Sequence, residues 1–504
     1  MTKSKRKGAN DDLLLEELKG LCSQGQAENE PEDQAAFLRN FLPIRSHYRI
    51  LDPDTQLIIG DKGAGKTQVF RALGYEQGRE ELTRLAKQHS RLAVDLERTA
   101  WLIGFAASST EFPPGGAIRV FAQGRGSAEL QSFWLALLTR VLLNQTNPQL
   151  TIADGPLVSL LRSPWSDLEK VFAPAYAKQG LLFAAIDELD RKLQSSDGYV
   201  FVTYDELDRV SPGDWTALET ILQGLVQFWA AYGRRWKRVR PKLFLRRDLY
   251  ERAALFGPDI AKIAAHRAEL LWDIGEFYGV LIKRILNSRG VLPGFLGNSV
   301  SRTIAAGALG TVPLASSEEE FAPALERLFG KYMGPDARKG FASRWVPNHL
   351  KDGHRRIYPR PLLRLVEEAA VIEQRDTRAK NLAQLIHHTA LRGALDRVSE
   401  FRVQELIKEE FPWLERVRSA LELHPFVVPV ERKLALKSLA IRWPDGADRP
   451  PSTEPNDVLD YLVELGIAQN RRDGRVDVGD LYLRGLHLKR KGGVARPKGL
   501  GRPV

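Results

Sequence analysis

A single cysteine, Cys22, stands among 504 residues, which excludes a disulfide framework and any zinc site built on cysteines. No uninterrupted apolar stretch approaches the ~20 residues of a membrane-spanning helix. The N-terminus, MTKSKRKGANDD, is basic but runs into acidic residues instead of an apolar core, so the pattern of a secretory signal is missing. No repeat of solenoid length occurs, and no Ser-His-Asp or Cys-His arrangement can be assembled. His387-His388 has no third ligand at metal spacing. These absences predict a soluble chain of the reducing cytoplasm with no membrane partner.

The composition, 43% apolar and 27% charged, is that of a globular protein, and the length predicts two to four domains. Net charge is +11, with eight Lys or Arg between residues 234 and 247 and seven in the last 24 residues, which hold no Asp or Glu. Clustered positive charge suits a polyphosphate partner, and equally a solvated face with a basic tail. Hydrophobic patterning divides the chain into a charged N-terminal arm (1–45), a P-loop ATPase core of strands alternating with helices (46–275), a helical lid (276–400), a second compact unit (401–486) and a basic tail (487–504).

The chemistry concentrates at Gly60-Asp61-Lys62-Gly63-Ala64-Gly65-Lys66-Thr67, between the apolar strand Gln56–Ile59 and a helix that opens with Thr67 and Gln68. Glycines there let the backbone turn its N–H groups onto phosphate oxygens, and the helix N-terminus adds partial positive charge. Lys66 is placed to reach the β- and γ-phosphates of ATP, and Thr67 to ligate magnesium. Such a site needs an acidic residue at the end of a neighbouring strand, and the chain carries two Asp-Glu-Leu-Asp strings. The first, Asp187 to Asp190, falls in a stretch with Leu182, Ile186, Leu189 and Leu193 at helical spacing, so its carboxylates are expected on a helix face. The second follows Tyr199-Val-Phe-Val-Thr-Tyr204, the composition of a buried strand. Asp205 is therefore the expected magnesium residue and Glu206 the residue that polarises the attacking water. Farther on, Lys242-Leu-Phe-Leu reads as a strand ending in Arg246 and Arg247, either of which could sense the γ-phosphate or simply face solvent or nucleic acid.

With the loop, the Asp-Glu strand and the Arg-ended strand in this order, residues 46 to 400 resemble the AAA+ and STAND group of P-loop ATPases. The likeness is to bacterial origin-recognition-like ATPases and KAP-type NTPases. Tyr358-Pro-Arg360 ahead of a helix is similar to the arginine that such proteins place in the lid, which implies a sensor role for Arg360. About 139 residues separate Lys66 from Asp205, long for the group, and imply an insertion around residues 98–180. No Gly-x-Pro lid element, Leu-Ser-Gly-Gly signature or helicase motif series accompanies the core.

The unit 401–486 resembles a winged helix. A helix is expected over Asp457–Leu465, followed by a hairpin with Asp473-Gly474 at its turn, which puts Arg471, Arg472 and Arg475 on the wing as nucleic-acid contacts. Winged helices also grip proteins. The resemblance implies an ATP-hydrolysing switch or motor acting on DNA or a DNA-bound partner, working as a homo-oligomer. The alternative is a nucleotide-regulated scaffold or sensor subunit, of antiviral-defence or mobile-element type, whose winged helix binds a protein.

Overall fold

The run Val200-Phe-Val-Thr-Tyr204 offers side chains for burial on both faces of a strand, so it requires cover on both sides. In the computed structural model of the chain it receives that cover. The structure describes residues 9–24, 31–89, 98–145, 150, 152, 161, 165, 167–211, 214–251, 263–314, 317–376, 384–444 and 448–491. These fall into two compact units.

The first, the sheet unit, comprises Glu32–Leu271 together with Ala305–Val312. Its strands are β1 (Leu57–Gly60), β2 (Thr99–Ala106), β3 (Tyr199–Asp205), β4 (Val239–Arg246) and β5 (Ala268–Glu269), in the order β2-β3-β4-β1-β5. Every pairing is parallel. Leu57, Ile58 and Ile59 of β1 and Val200, Phe201 and Val202 of β3 are fully buried. Thr99–Ala106 lies inside the stretch expected as an insertion, yet it is the edge strand of the sheet, bonded to β3 along its length.

The chain's first helix, α1 (Ala9–Ser23), belongs to the other unit. Within the sheet unit, α2 (Lys66–Gly74) follows β1, and α3 (Ser127–Leu143), α4 (Gln179–Ser195) and α5 (Trp215–Tyr232) pack together. Gly224 lets α5 approach α3 closely, since a Cβ there would lie 2.6 Å from the Cβ of Leu130. Trp134 of α3 donates its indole N–H to the carbonyl of Ile221 at 3.1 Å. Buried Trp134, Tyr204, Trp229 and Trp236 form a chain of ring contacts through this core; truncating one such ring to alanine costs about 3–5 kcal/mol.

The second, helical unit joins Met1–Pro31, Trp272–Ile304 and Pro313–Val504. The N-terminal segment expected as an arm supplies one of its built-in helices. Leu14, Leu15, Leu18 and Cys22 of α1 are buried, and α1 packs on α7 (Pro359–Arg375), which follows α6 (Ile274–Leu286) in the chain. Glu17 accepts the backbone N–H groups of Val291 and Leu292 at 2.7 and 3.0 Å. After α8 (His388–Glu409) comes a winged helix: β6 (Val430–Glu431), α9 (Arg432–Ser438), α10 (Pro455–Glu464), β7 (Ala468–Asn470) and β8 (Arg475–Val478). Its antiparallel sheet runs β7-β8-β6, with Gly474 at φ 79° in the expected hairpin turn. Residues 492–504 of the basic tail lie outside the described residues.

Candidate functional site

Four residues of β1 lead into the loop, and the register sets its surroundings. Gly60 pairs with Arg246 of β4, and Leu243 of β4 pairs with Leu57 on one side and Tyr204 on the other. The loop after β1 and the acidic end of β3 thus open at the same carboxyl edge of a parallel sheet, with the end of β4 between them. That edge is where ligands bind in open α/β sheets.

Inside the loop, Gly63 (φ 84°) and Gly65 (φ 93°) take left-handed backbone that other side chains resist. At Gly60 a Cβ would press on the Cβ atoms of Ala64 and Leu270 at 3.1 and 3.3 Å. Helix α2 starts at Lys66, so its first-turn N–H groups, without acceptors in the helix, face the mouth of the loop. Lys66 Nζ donates to the carbonyls of Gly60 and Asp61 at 2.9 and 3.1 Å. Burial lowers its proton affinity, and the fields of Asp208, Asp205 and Asp248 act the other way. Thr67 is exposed beside it, with Lys62 and Gln68 half-buried.

Asp205 is the last residue of β3 and only 2% exposed. Burial pushes its carboxyl up to about 6, opposed by the Glu206 backbone N–H, by Lys66 and by a hydrogen bond with the Thr67 side chain. Its Oδ2 is buried without a hydrogen-bond partner. An orphaned carboxylate oxygen next to a threonine hydroxyl is an oxygen donor set that fits magnesium, which takes few protein ligands and keeps waters and phosphates. Glu206 follows in left-handed backbone at φ 56°, a conformation that costs a non-glycine residue about 1–3 kcal/mol. Its carboxylate accepts the Ser108 backbone N–H at 2.7 Å and Arg209 at 2.9 Å.

The two arginines ending β4 diverge. Arg246 grips Asp248 with two N–H groups at 3.0 and 2.8 Å and reaches Asp208 at 3.3 Å, and its charge is felt at Lys66. Arg247 pairs with Asp61 of the loop at 3.3 Å and with Glu269 of β5 at 2.9 Å, so it ties three strand ends together. Asp208, Asp248 and Ser108 had not been singled out from sequence, although the first two sit in the strings Asp-Glu-Leu-Asp and Arg-Arg-Asp.

The other acidic string works differently. Asp190 of α4, 3% exposed, accepts the backbone N–H groups of Lys237, Arg238 and Val239 at 3.1, 2.7 and 3.1 Å. Asp187 holds Arg235 and the Trp236 indole N–H, and the hydrogen bond with Arg235 keeps its carboxyl below the usual range. Together they clamp the turn that enters β4. Much of the positive run 234–247 is consumed in this way and is no open patch for a polyphosphate. Arg238 pairs with Asp197, Arg240 with Asp54, and Lys242 is buried against the carbonyls of Asp52 and Thr55.

In the helical unit, Arg360 is the second residue of α7 and pairs with Glu405 at 3.7 Å. On the wing, Arg471 pairs with Asp477 at 3.1 Å and Asp473 at 3.5 Å, and Arg475 holds Asp473 at 2.6 Å. Arg472 is exposed. The exposed face of α10 carries Asn456, Asp457, Asp460 and Glu464, of which Asp460 meets Arg432 at 2.7 Å.

No family model matches the chain, and no curated protein matches it. Among solved structures it is similar to the ORC2 protein of Aeropyrum pernix, determined as ADPNP-ADP complexes, at 14% identity over 89% of this chain and 94% of that one, with a TM-score of 0.38. It is also similar to Cdc6p of Pyrobaculum aerophilum at 12% identity over 96% and 94%, with a TM-score of 0.27. At such scores the fold assignment, a P-loop α/β core and a winged helix, rests on this chain's own strand order and site geometry. Among the described residues, no helix is long and apolar enough to cross a membrane.

Proposed function

We propose that this chain binds ATP with magnesium at Gly60–Thr67, hydrolyses it, and uses the cycle as a switch or motor on DNA or a DNA-bound partner. The observation that carries this reading is the parallel register that brings the loop, the end of β3 and Arg246 to one edge of the sheet. The α2 N-terminus and Lys66 receive the β- and γ-phosphates. Thr67 and Asp205 are the residues that hold magnesium, which neutralises charge developing on the transferred phosphate. Glu206 orients the attacking water and draws its proton. Arg246, fixed by Asp248 and Asp208, supplies positive charge toward the terminal phosphate.

The test is ATP turnover by the purified chain with and without duplex DNA. Lys66→Ala should abolish nucleotide binding, and DNA should change the parental rate. A parental chain that neither binds nor turns over ATP defeats the reading. A second reading, a nucleotide-regulated scaffold gripping a protein, is favoured by the acidic face of α10; negligible turnover that DNA leaves unchanged would support it. Light scattering with and without ATP measures the expected homo-oligomer.

A further inference from the structure

We propose that the winged-helix end of the chain holds duplex DNA through the cationic turn 351–356, with Lys351 and Arg355 on the phosphate backbone, and not through Arg471 and Arg475 of the wing. The inference rests on the DNA-acting reading above and deepens it.

The turn is rigidly built. Asp352 N–H donates to the Arg356 carbonyl at 3.0 Å, Arg355 N–H to the Asp352 carbonyl at 2.9 Å, and Arg356 N–H to the Asp352 carboxylate at 2.8 Å. Asp352 is buried, so its charge faces inward. The turn is docked on the start of the β7–β8 hairpin: Gly353 N–H donates to the Gly466 carbonyl and His354 Nε2 to the Glu464 carbonyl at 2.9 Å. A Cβ at Gly353 would collide with the Ala468 carbonyl, so only glycine permits this seat.

What the turn presents is positive charge without local neutralisation. His354 and Arg355 are exposed, and Arg355 sits at φ 65°, where a non-glycine residue is strained. Its guanidinium makes no ion pair among the described residues, and Lys351 Nζ donates to the neutral Asn348 amide oxygen at 2.8 Å. Burial and then the charge of Arg355 both disfavour the protonated form of Lys351, and the two cations are four residues apart on one short turn. Asp352 is turned inward, and Glu464 at the end of α10 meets His354 through its backbone carbonyl. Adjacent cations held rigid at a surface are stabilised by a row of phosphates and by little else that water does not already offer.

The surfaces that usually touch DNA in a winged helix carry carboxylates here, and Arg472 is the exposed wing arginine beside the paired Arg471 and Arg475. The helix expected in the major groove, α10, shows Asp457, Asp460 and Glu464, which repel phosphate. Arg471 and Arg475 are matched by Asp473 and Asp477. Binding should therefore be sequence-tolerant, because the turn meets phosphates and not base edges.

The test is binding of the full chain to a short labelled duplex across a salt series. Each phosphate neutralised contributes about 0.9 to the slope of log affinity against log salt. Lys351→Ala combined with Arg355→Gly should flatten the slope by about two, while Arg471→Ala with Arg475→Ala leaves it at the parental value. Arg355→Gly relieves left-handed strain as it removes charge, so its loss of affinity should come with unchanged or higher thermal stability; Arg355→Lys should keep the parental slope. A parental slope in the turn variant together with a loss in the wing variant overturns the proposal and leaves DNA binding standing. A parental chain without salt-dependent DNA affinity overturns both this proposal and the DNA-acting reading, whatever its ATP turnover. Retained DNA binding by the turn variant with lost binding to anionic vesicles assigns the turn to lipid and overturns the proposal as well.

Discussion

The same four residues, Asp-Glu-Leu-Asp, occur at 187–190 and at 205–208, and the fold gives them opposite work. On α4 the spacing of 3.6 residues sends Asp187 and Asp190 to one side, where both are saturated: one by Arg235 and Trp236, the other by three backbone N–H groups. At the end of β3 the two carboxylates of Asp205 and Glu206 part company. Asp205 is buried with an unpartnered oxygen, and Glu206, in left-handed backbone, is held by the Ser108 N–H and by Arg209. Satisfied carboxylates stabilise a fold; an unsatisfied one is a cost that a ligand can recover.

The contrast can be broken most decisively by kinetics. Glu206→Gln should lower kcat for ATP by about 10²–10⁴ with nucleotide affinity retained, as expected for loss of a positioned base. Glu188→Gln should stay within a few-fold of the parental rate. If the two rates come out exchanged, the acidic strings have been assigned the wrong way round.

Stability should separate the strings by sign. Without nucleotide and magnesium, a carboxyl pushed up to about 6 by burial is strained when ionised at pH 7.5, by ~3 kcal/mol. Asp205→Asn should therefore raise the denaturant midpoint, whereas Asp190→Asn should lower stability by about 1–3 kcal/mol, because it weakens the clamp on three backbone N–H groups, one of them buried. The pH dependence follows. Between about pH 4 and 6 the folded chain keeps a proton on Asp205 that the unfolded chain has released, so this residue's contribution to stability falls as pH rises through that window. The advantage of Asp205→Asn over the parental chain should grow across the window and level off above it.

A smaller effect tests the neighbours that only the second string has. Arg247→Ala removes the cation 3.3 Å from the Asp61 carboxylate, inside a loop that must accept polyphosphate. Nucleotide affinity should fall about tenfold, or ~1.4 kcal/mol, with kcat little changed, and Asp61→Asn in the same chain should restore part of it. Titration with a fluorescent ATP analogue reads both.

How much of this could be read from sequence depended on range. The loop was legible because its requirements are local: glycines at 63 and 65 for left-handed backbone, and a strand and a helix on either side. The two acidic strings were separable because helical spacing and a continuous strand run leave different patterns. Strand β2 was lost inside the expected insertion although Trp101-Leu-Ile-Gly-Phe105 has strand composition, because an edge position follows only from pairing with a strand about 100 residues away. The fate of the run 234–247 was illegible for the same reason: its partners lie at Asp52, Asp54, Asp187, Asp190 and Asp197. The wing hairpin was visible in Asp473-Gly474, but its arginines' pairing with Asp473 and Asp477 depends on rotamers that no spacing rule sets.

The placement of α1 has a consequence in time. Its apolar stripe, Leu14, Leu15, Leu18 and Cys22, packs on α7, which begins at Pro359. At roughly 5–20 residues per second of synthesis, the ribosome needs on the order of tens of seconds to make the chain between them. For that interval the whole sheet unit can emerge and close while an exposed leucine stripe waits upstream of it. The helical unit is thus completed late although it contains one of the earliest helices made, and α1 stays open to aggregation or chaperone capture on the nascent chain for that interval.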